Sequence, residues 1–199
     1  MKIIPRAFYN RNTIDVARDL LGKILVRVIN GKILSGIIVE SEAYRSTDDP
    51  ASHSYKGKTE RNSVMFGEVG HAYVYFTYGN HYCLNIVAKE DNVPAGAVLI
   101  RAIEPIEGIK QMQKFRKIDD LYNLTTGPGK LTQALCITKK QNGIGVTKNG
   151  ETYILNGKDI DSSSVIATPR IGISIALDKQ WRFLVADNKF VSRKVRMNS

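Results

Sequence analysis

A chain of 199 residues is long enough to bury a full core as one domain, whereas two domains would leave each half about 100 residues, so a single domain over residues 1–199 is expected. Its 43% hydrophobic and 24% charged residues exclude a disordered, collagen-like or coiled-coil chain; no uncharged apolar run approaches the roughly 18 residues of a membrane-spanning helix, and residues 1–5 lack the apolar stretch of a signal peptide, so a soluble, intracellular protein is expected. Lys and Arg number 29 against 19 Asp and Glu, a net +10 that suggests a polyanionic partner, although positive charge alone serves solubility equally well.

In chain order, Thr13 followed by Ile14, Val16, Ala17, Leu20 and Leu21 predicts a capped amphipathic helix that stops at Gly22. Residues 23–29 and 32–40 predict two strands joined by Asn30-Gly31, a strong hairpin signal, with Glu40 and Glu42 standing where the second strand gives out. Residues 44–62 show no period, and so long a loop in a compact domain is usually functional. A second hairpin is predicted over 71–78 and 82–88 with Gly79-Asn80 at its tip, then a strand over 97–103. Pro105 should open an amphipathic helix over 106–117, and Gly127-Pro128-Gly129 should precede a short helix over 130–136. Short strands are expected at 153–155, 165–168, 171–176 and 183–185. The fold class that follows is α+β with antiparallel pairing.

Cys83 and Cys136 show no paired spacing and are expected to be buried free thiols. His53, His71 and His81 have no metal-ligand spacing, so no metal is expected. From position alone Glu42 reads as a solvated strand-end carboxylate, although a carboxylate so placed can activate water if its surroundings fix it. Glu40 shares its face by the two-residue period. Alternation sends Tyr73, Tyr75 and Thr77 to one face of their strand and Val74, Phe76 and Tyr78 to the other, which brings Tyr78 to the hairpin tip. A ring there on a basic protein can wedge between stacked bases.

Val39-Glu40-Ser41-Glu42-Ala43-Tyr44, Ala51-Ser52-His53-Ser54, Arg61-Asn62 with Met65-Phe66, and the run from Tyr73 to Asn85 resemble, in order and nearly in spacing, the alkyladenine (3-methyladenine) DNA glycosylases. The resemblance continues through the run from Leu99 to Pro105, Gly127-Pro128-Gly129-Lys130-Leu131, Trp181-Arg182-Phe183 and Val191-Ser192.

It implies a single mixed domain with a curved antiparallel sheet flanked by helices. It also implies a monofunctional, monomeric enzyme with no metal or organic cofactor, which flips alkylated or deaminated purines out of damaged double-stranded DNA. The implied substrates are 3-methyladenine, 7-methylguanine and hypoxanthine. Glu42 falls on the general base that activates the attacking water; Tyr44, His53 and Tyr75 fall on the base pocket. Asn85 falls on the pocket floor, where its bulk opposes the 2-amino group of guanine. Tyr78 matches the intercalating wedge, Arg101 a backbone-binding arginine, and Lys130 lies in a motif that borders DNA. The rival class, a nucleic-acid-binding module without catalysis, would keep Tyr78 and Arg101 and lose Glu42; this chain has all three.

Overall fold

The β-branched side chains that dominate after residue 23 build one curled antiparallel sheet in the computed structural model, which describes residues 1–77 and 79–193. Two helices precede it, α1 (Arg6–Tyr9) and α2 (Thr13–Asp19). Asn12, not Thr13, caps α2: its side chain accepts the Ile14 N–H, while the Thr13 hydroxyl donates to the Ala88 carbonyl and ties the helix to the sheet.

Strands β1 (Ile24–Ile29) and β2 (Lys32–Arg45) form the expected hairpin, with Asn30 and Gly31 both at positive φ as its tight turn requires. β2 runs on through Glu40 and Glu42 to Arg45, so neither carboxylate stands at a strand end. β3 (Ala72–Thr77) and β4 (His81–Val87) form the second hairpin, and β5 (Gly96–Glu107) follows. Pro105 lies inside β5, opposite Gly36 at an irregularity of the ladder that dispenses with its missing N–H; the helix expected from Pro105 starts instead at Ile109, after Gly108 at φ 77°. That helix is α3 (Ile109–Arg116), and α4 (Pro128–Ala134) begins on its proline. The short strands β6 (Thr152–Leu155), β7 (Val165–Thr168) and β8 (Arg182–Val185) complete the fold. Residues 171–176 form bends rather than the expected strand.

The strand order is β3-β4-β5-β2-β1-β6, and β8 joins β2 beyond the point where β1 ends, carrying β7 on its outer side. Helices α2, α3 and α4 pack with Leu34, Ile38, Leu84, Ile86, Val98 and Ile100 into the main core on one face. The other face carries the polar and aromatic side chains that line a cavity.

Two irregularities in the β2–β5 ladder decide where those side chains point. The pairing runs from Ile38 with Ile103 to Glu40 with Ala102 and then to Ser41 with Ile100, skipping Val39 on one strand and Arg101 on the other. Each extra residue breaks the in-and-out alternation, as β-bulges do near functional sites. Val39 and Ala102 therefore pack with Leu184, Phe190 and Val191 in a second cluster, and Glu40 leaves the face of Ile38 to meet Arg101, which also reaches Glu42.

Glu40 is fully buried and saturated. Its Oε1 accepts from Arg101 Nε at 2.8 Å, Arg182 Nε at 2.7 Å and the Ser192 hydroxyl at 2.8 Å, and its Oε2 accepts the Ser192 N–H at 2.6 Å. Arg182 also donates to the Arg193 carbonyl at 2.7 Å. Burial pushes the Glu40 carboxyl up, but Arg101, Arg182 and the Ser192 N–H together outweigh it and hold the group below the ordinary carboxylate range. Glu40→Gln leaves Arg182 without a counter-charge and should lower unfolding free energy by about 3–5 kcal/mol in urea at neutral pH. Because the folded value is depressed, Glu40 stabilises fully above the range in which an unfolded glutamate titrates, and the contribution is lost as pH falls through the folded value. The variant should thus show a flatter acid side in its stability against pH; an acid limb as steep as the parent's would show that Glu40 does not supply it.

Candidate active site

Two residues beyond Glu40 on the same face, Glu42 is also fully buried. Its Oε2 accepts from the Tyr44 hydroxyl at 2.8 Å and from Arg101 Nη1 at 3.2 Å, and its Oε1 accepts the Ile171 N–H at 2.7 Å. Three donors from three chain segments thus fix the carboxylate. Burial, then the neighbouring Glu42 charge, drive the Tyr44 hydroxyl well above the usual phenol range, so Tyr44 remains a proton donor.

In front of this group lies a cavity of about 250 Å³. Tyr44 and Arg101 line it beside Ile171, Gly172 and Ile173, while Glu42 stands one layer behind. The expected alternation brings Tyr73, Tyr75 and Thr77 to the cavity and turns Val74 into the main core. From β4, by the same period, Cys83 and Asn85 face the cavity while Leu84 and Ile86 face the helices.

The turns between β2 and β3 deliver His53, which meets the Tyr73 hydroxyl at 3.1 Å through Nδ1 and the Tyr75 ring edge-on at 4.6 Å. Asn62 holds this loop in place by donating to the His53 and Gly57 carbonyls at 2.8 and 3.0 Å. Burial and the Arg61 charge lower the His53 pKa, which keeps the imidazole neutral at physiological pH. Burial pushes the Tyr73 hydroxyl to about 12 and raises that of Tyr75 further. Asn85 pairs with Tyr73 across the hairpin and spends its amide N–H on the Tyr73 carbonyl at 3.0 Å, so its side chain cannot swing away.

The structure therefore brings together Glu42, Tyr44, His53, Tyr75, Asn85 and Arg101. Arg101, expected on the DNA backbone, is turned inward with its side chain 7% exposed and its guanidinium divided between Glu40 and Glu42. Lys130 stands apart at the start of α4, half-buried and bonded to the Asn123 side chain, in a shallow groove shared with Asn80 and His81. Gly129 belongs there because a Cβ would fall 2.7 Å from the His81 ring. Tyr78 lies outside the described residues. Cys83 is a buried thiol that burial raises to about 11, but Cys136 is exposed, a correction to its expected burial: it sits just past α4 at φ 49°. Among the described residues no group of three or more His, Cys, Asp and Glu is placed to hold a metal ion.

Sequence reasoning quoted Arg182 and Ser192 within motifs without seeing that both serve Glu40. It missed Asp49, Arg170 and Ile171 altogether. Ile171 acts through its backbone N–H, so no side chain announces it; Arg170 follows Pro169 in what reads as an ordinary turn.

Residues 7–189 match the family model for methylpurine-DNA glycosylase. A relative from Carboxydothermus hydrogenoformans, named "Putative 3-methyladenine DNA glycosylase", is 48% identical over 96% of this chain and 100% of its own length. Relatives of the same name from Francisella tularensis and Clostridium perfringens are 49% and 46% identical, over 94% and 96% of this chain and 97% and 99% of their own. With a matching model over most of its length and relatives of this identity end to end, the chain belongs to the methylpurine-DNA glycosylase family.

Proposed function

We propose that this chain is a monofunctional DNA glycosylase that takes 3-methyladenine, and with it 7-methylguanine and hypoxanthine, out of duplex DNA by hydrolysis of the N-glycosidic bond. The observation that carries this reading is Glu42, a carboxylate oriented by three donors at the back of an aromatic pocket. The chemistry needs the target base outside the stack, at a cost of a few kcal/mol that is least for a damaged pair. Tyr78 would fill the vacated space.

A purine alkylated at N3 or N7 carries positive charge, which the faces of Tyr44 and Tyr75 attract. Neutral His53 adds no opposing charge to the pocket. For such a cationic purine, water directed by Glu42 attacks C1′ and gives its proton to the carboxylate, the bond from C1′ to the base nitrogen breaks with its electron pair neutralising the departing base, and an abasic site remains. The carboxylate also stabilises the oxocarbenium character that develops on the sugar. Arg101 helps to hold Glu42, which leaves phosphate binding to other basic residues, with Lys130 among the candidates. The inferred setting is intracellular DNA, met by a monomer; no helix among the described residues is long and apolar enough to cross a membrane.

Glu42→Gln should keep affinity for a duplex carrying a stable abasic-site analogue and lower single-turnover excision by about 10²-fold or more. Excision at the parent rate would remove Glu42 from the reaction. Tyr44→Phe keeps the ring and loses one donor to a charged acceptor, so excision should fall on the order of tenfold. Asn85→Ser opens the floor and should raise excision of guanine-derived bases on the order of tenfold, whereas Tyr78→Ser should weaken flipping of every lesion alike, read with a fluorescent base analogue. A Tyr78→Ser protein that changed lesion preference but not flipping would refute the wedge.

A further inference from the structure

Arg170 and Asp49 form a fully buried pair, with Arg170 Nη1 and Nη2 donating to the two Asp49 carboxylate oxygens at 2.6 Å each. Nη1 also donates to the Ala43 carbonyl at 2.9 Å, on the strand residue between Glu42 and Tyr44. The guanidinium carbon lies over the Tyr44 ring at 4.6 Å and over the Trp181 ring at 5.2 Å. The very next residue supplies the Ile171 N–H that bonds Glu42. Asp49 in turn accepts the N–H groups of Arg45 and Ala51, which orders the turn that carries Ala51 and His53 to the pocket wall.

A buried ion pair is weak evidence of a purely stabilising role, because desolvation offsets much of the attraction and an apolar pair of similar volume often serves as well. What an apolar pair cannot supply is direction. The planar guanidinium fork defines the angle between two carboxylate oxygens, a carbonyl and two stacked rings at once, which a lysine ammonium does not. Of the three donors on Glu42, Arg170 adjoins two, by stacking on Tyr44 and by fixing the backbone next to Ile171.

We propose that Arg170, anchored by Asp49, is a positioning residue for base excision: it sets the Ile171 N–H and the Tyr44 hydroxyl on the two oxygens of Glu42. The proposal rests on the reading of Glu42 as the base.

The test is a double-mutant cycle with Arg170→Lys and Glu42→Gln, read as single-turnover excision from a duplex carrying one defined alkylated purine, alongside binding to an abasic-analogue duplex and a thermal unfolding curve. Arg170→Lys should lower excision about tenfold or more while binding stays within about threefold, and in the Glu42→Gln background it should cost less than about twofold, because residues that act as a unit are non-additive. An Arg170→Lys protein as fast as the parent, or one slowed equally in both backgrounds, would overturn the positioning role. Should Arg170→Lys fail to fold, Asp49→Asn, which keeps volume and one acceptor, is read by the same criteria. A Glu42→Gln protein of parental speed refutes the reading of Glu42 itself, whereas a slow Glu42→Gln protein with an indifferent Arg170→Lys refutes only the positioning.

Discussion

Two carboxylates buried side by side on one strand face would repel each other and lose their hydration, and the arrangement of this molecule's functional face follows from how that cost is met. Arg101 stands between Glu40 and Glu42, Arg182 closes on Glu40 from β8, and backbone N–H groups of Ser192 and Ile171 take up further lone pairs. The bulges at Val39 and Arg101 are part of this arrangement, since strict alternation from Ile38 would return Glu40 to the apolar core, whereas the shifted register sets it on the same side as Arg101. Of the two acids, Glu40 is the structural one: its oxygens are taken up by arginines and a distant segment. Glu42 is oriented by hydrogen bonds yet remains next to the cavity.

The pocket in front has a different logic. The phenols of Tyr44, Tyr73 and Tyr75 are kept protonated by burial, the Cys83 thiol is held well above neutrality and the His53 imidazole is neutral, so these groups change little in charge across the physiological range. A cavity of this kind offers aromatic faces and a few oriented donors to a flat heterocycle. Asn85, bonded to the Tyr73 carbonyl, presents a fixed rather than an adaptable side chain to the cavity.

Much of this was legible in the sequence where the signal was periodic. The Asn30-Gly31 and Gly79-Asn80 turns and the alternation of Tyr73, Tyr75 and Thr77 needed only the two-residue period. The errors came where tertiary partners override local preference. Glu40 and Glu42 looked like the end of a strand because a single sequence cannot show that β5 and β8 flank them on both sides. Pro105 looked like a helix start because the irregularity opposite Gly36 is invisible without its partner strand. Residues 171–176 looked like a strand, but the Ile171 N–H that a ladder would use is committed to Glu42. Arg170 and Asp49, separated by 121 positions, leave no trace in a local window.

The distances along the chain behind these contacts also bear on how the molecule comes into being. Ser192 meets Glu40 across 152 positions, and Ile171 meets Glu42 across 129. At a synthesis rate of about 5–20 residues per second, Glu40 leaves the ribosome roughly 8–30 s before the segment that will enclose it. Contacts of such separation close late, after the loop-closure entropy has been met by the rest of the sheet. The β1–β2 and β3–β4 hairpins can form while the chain is still growing, but the carboxylate network cannot. The nascent protein can therefore hold a half-built sheet while both carboxylates still lack the partners that will enclose them, and the candidate site is completed only after the last strand has been made.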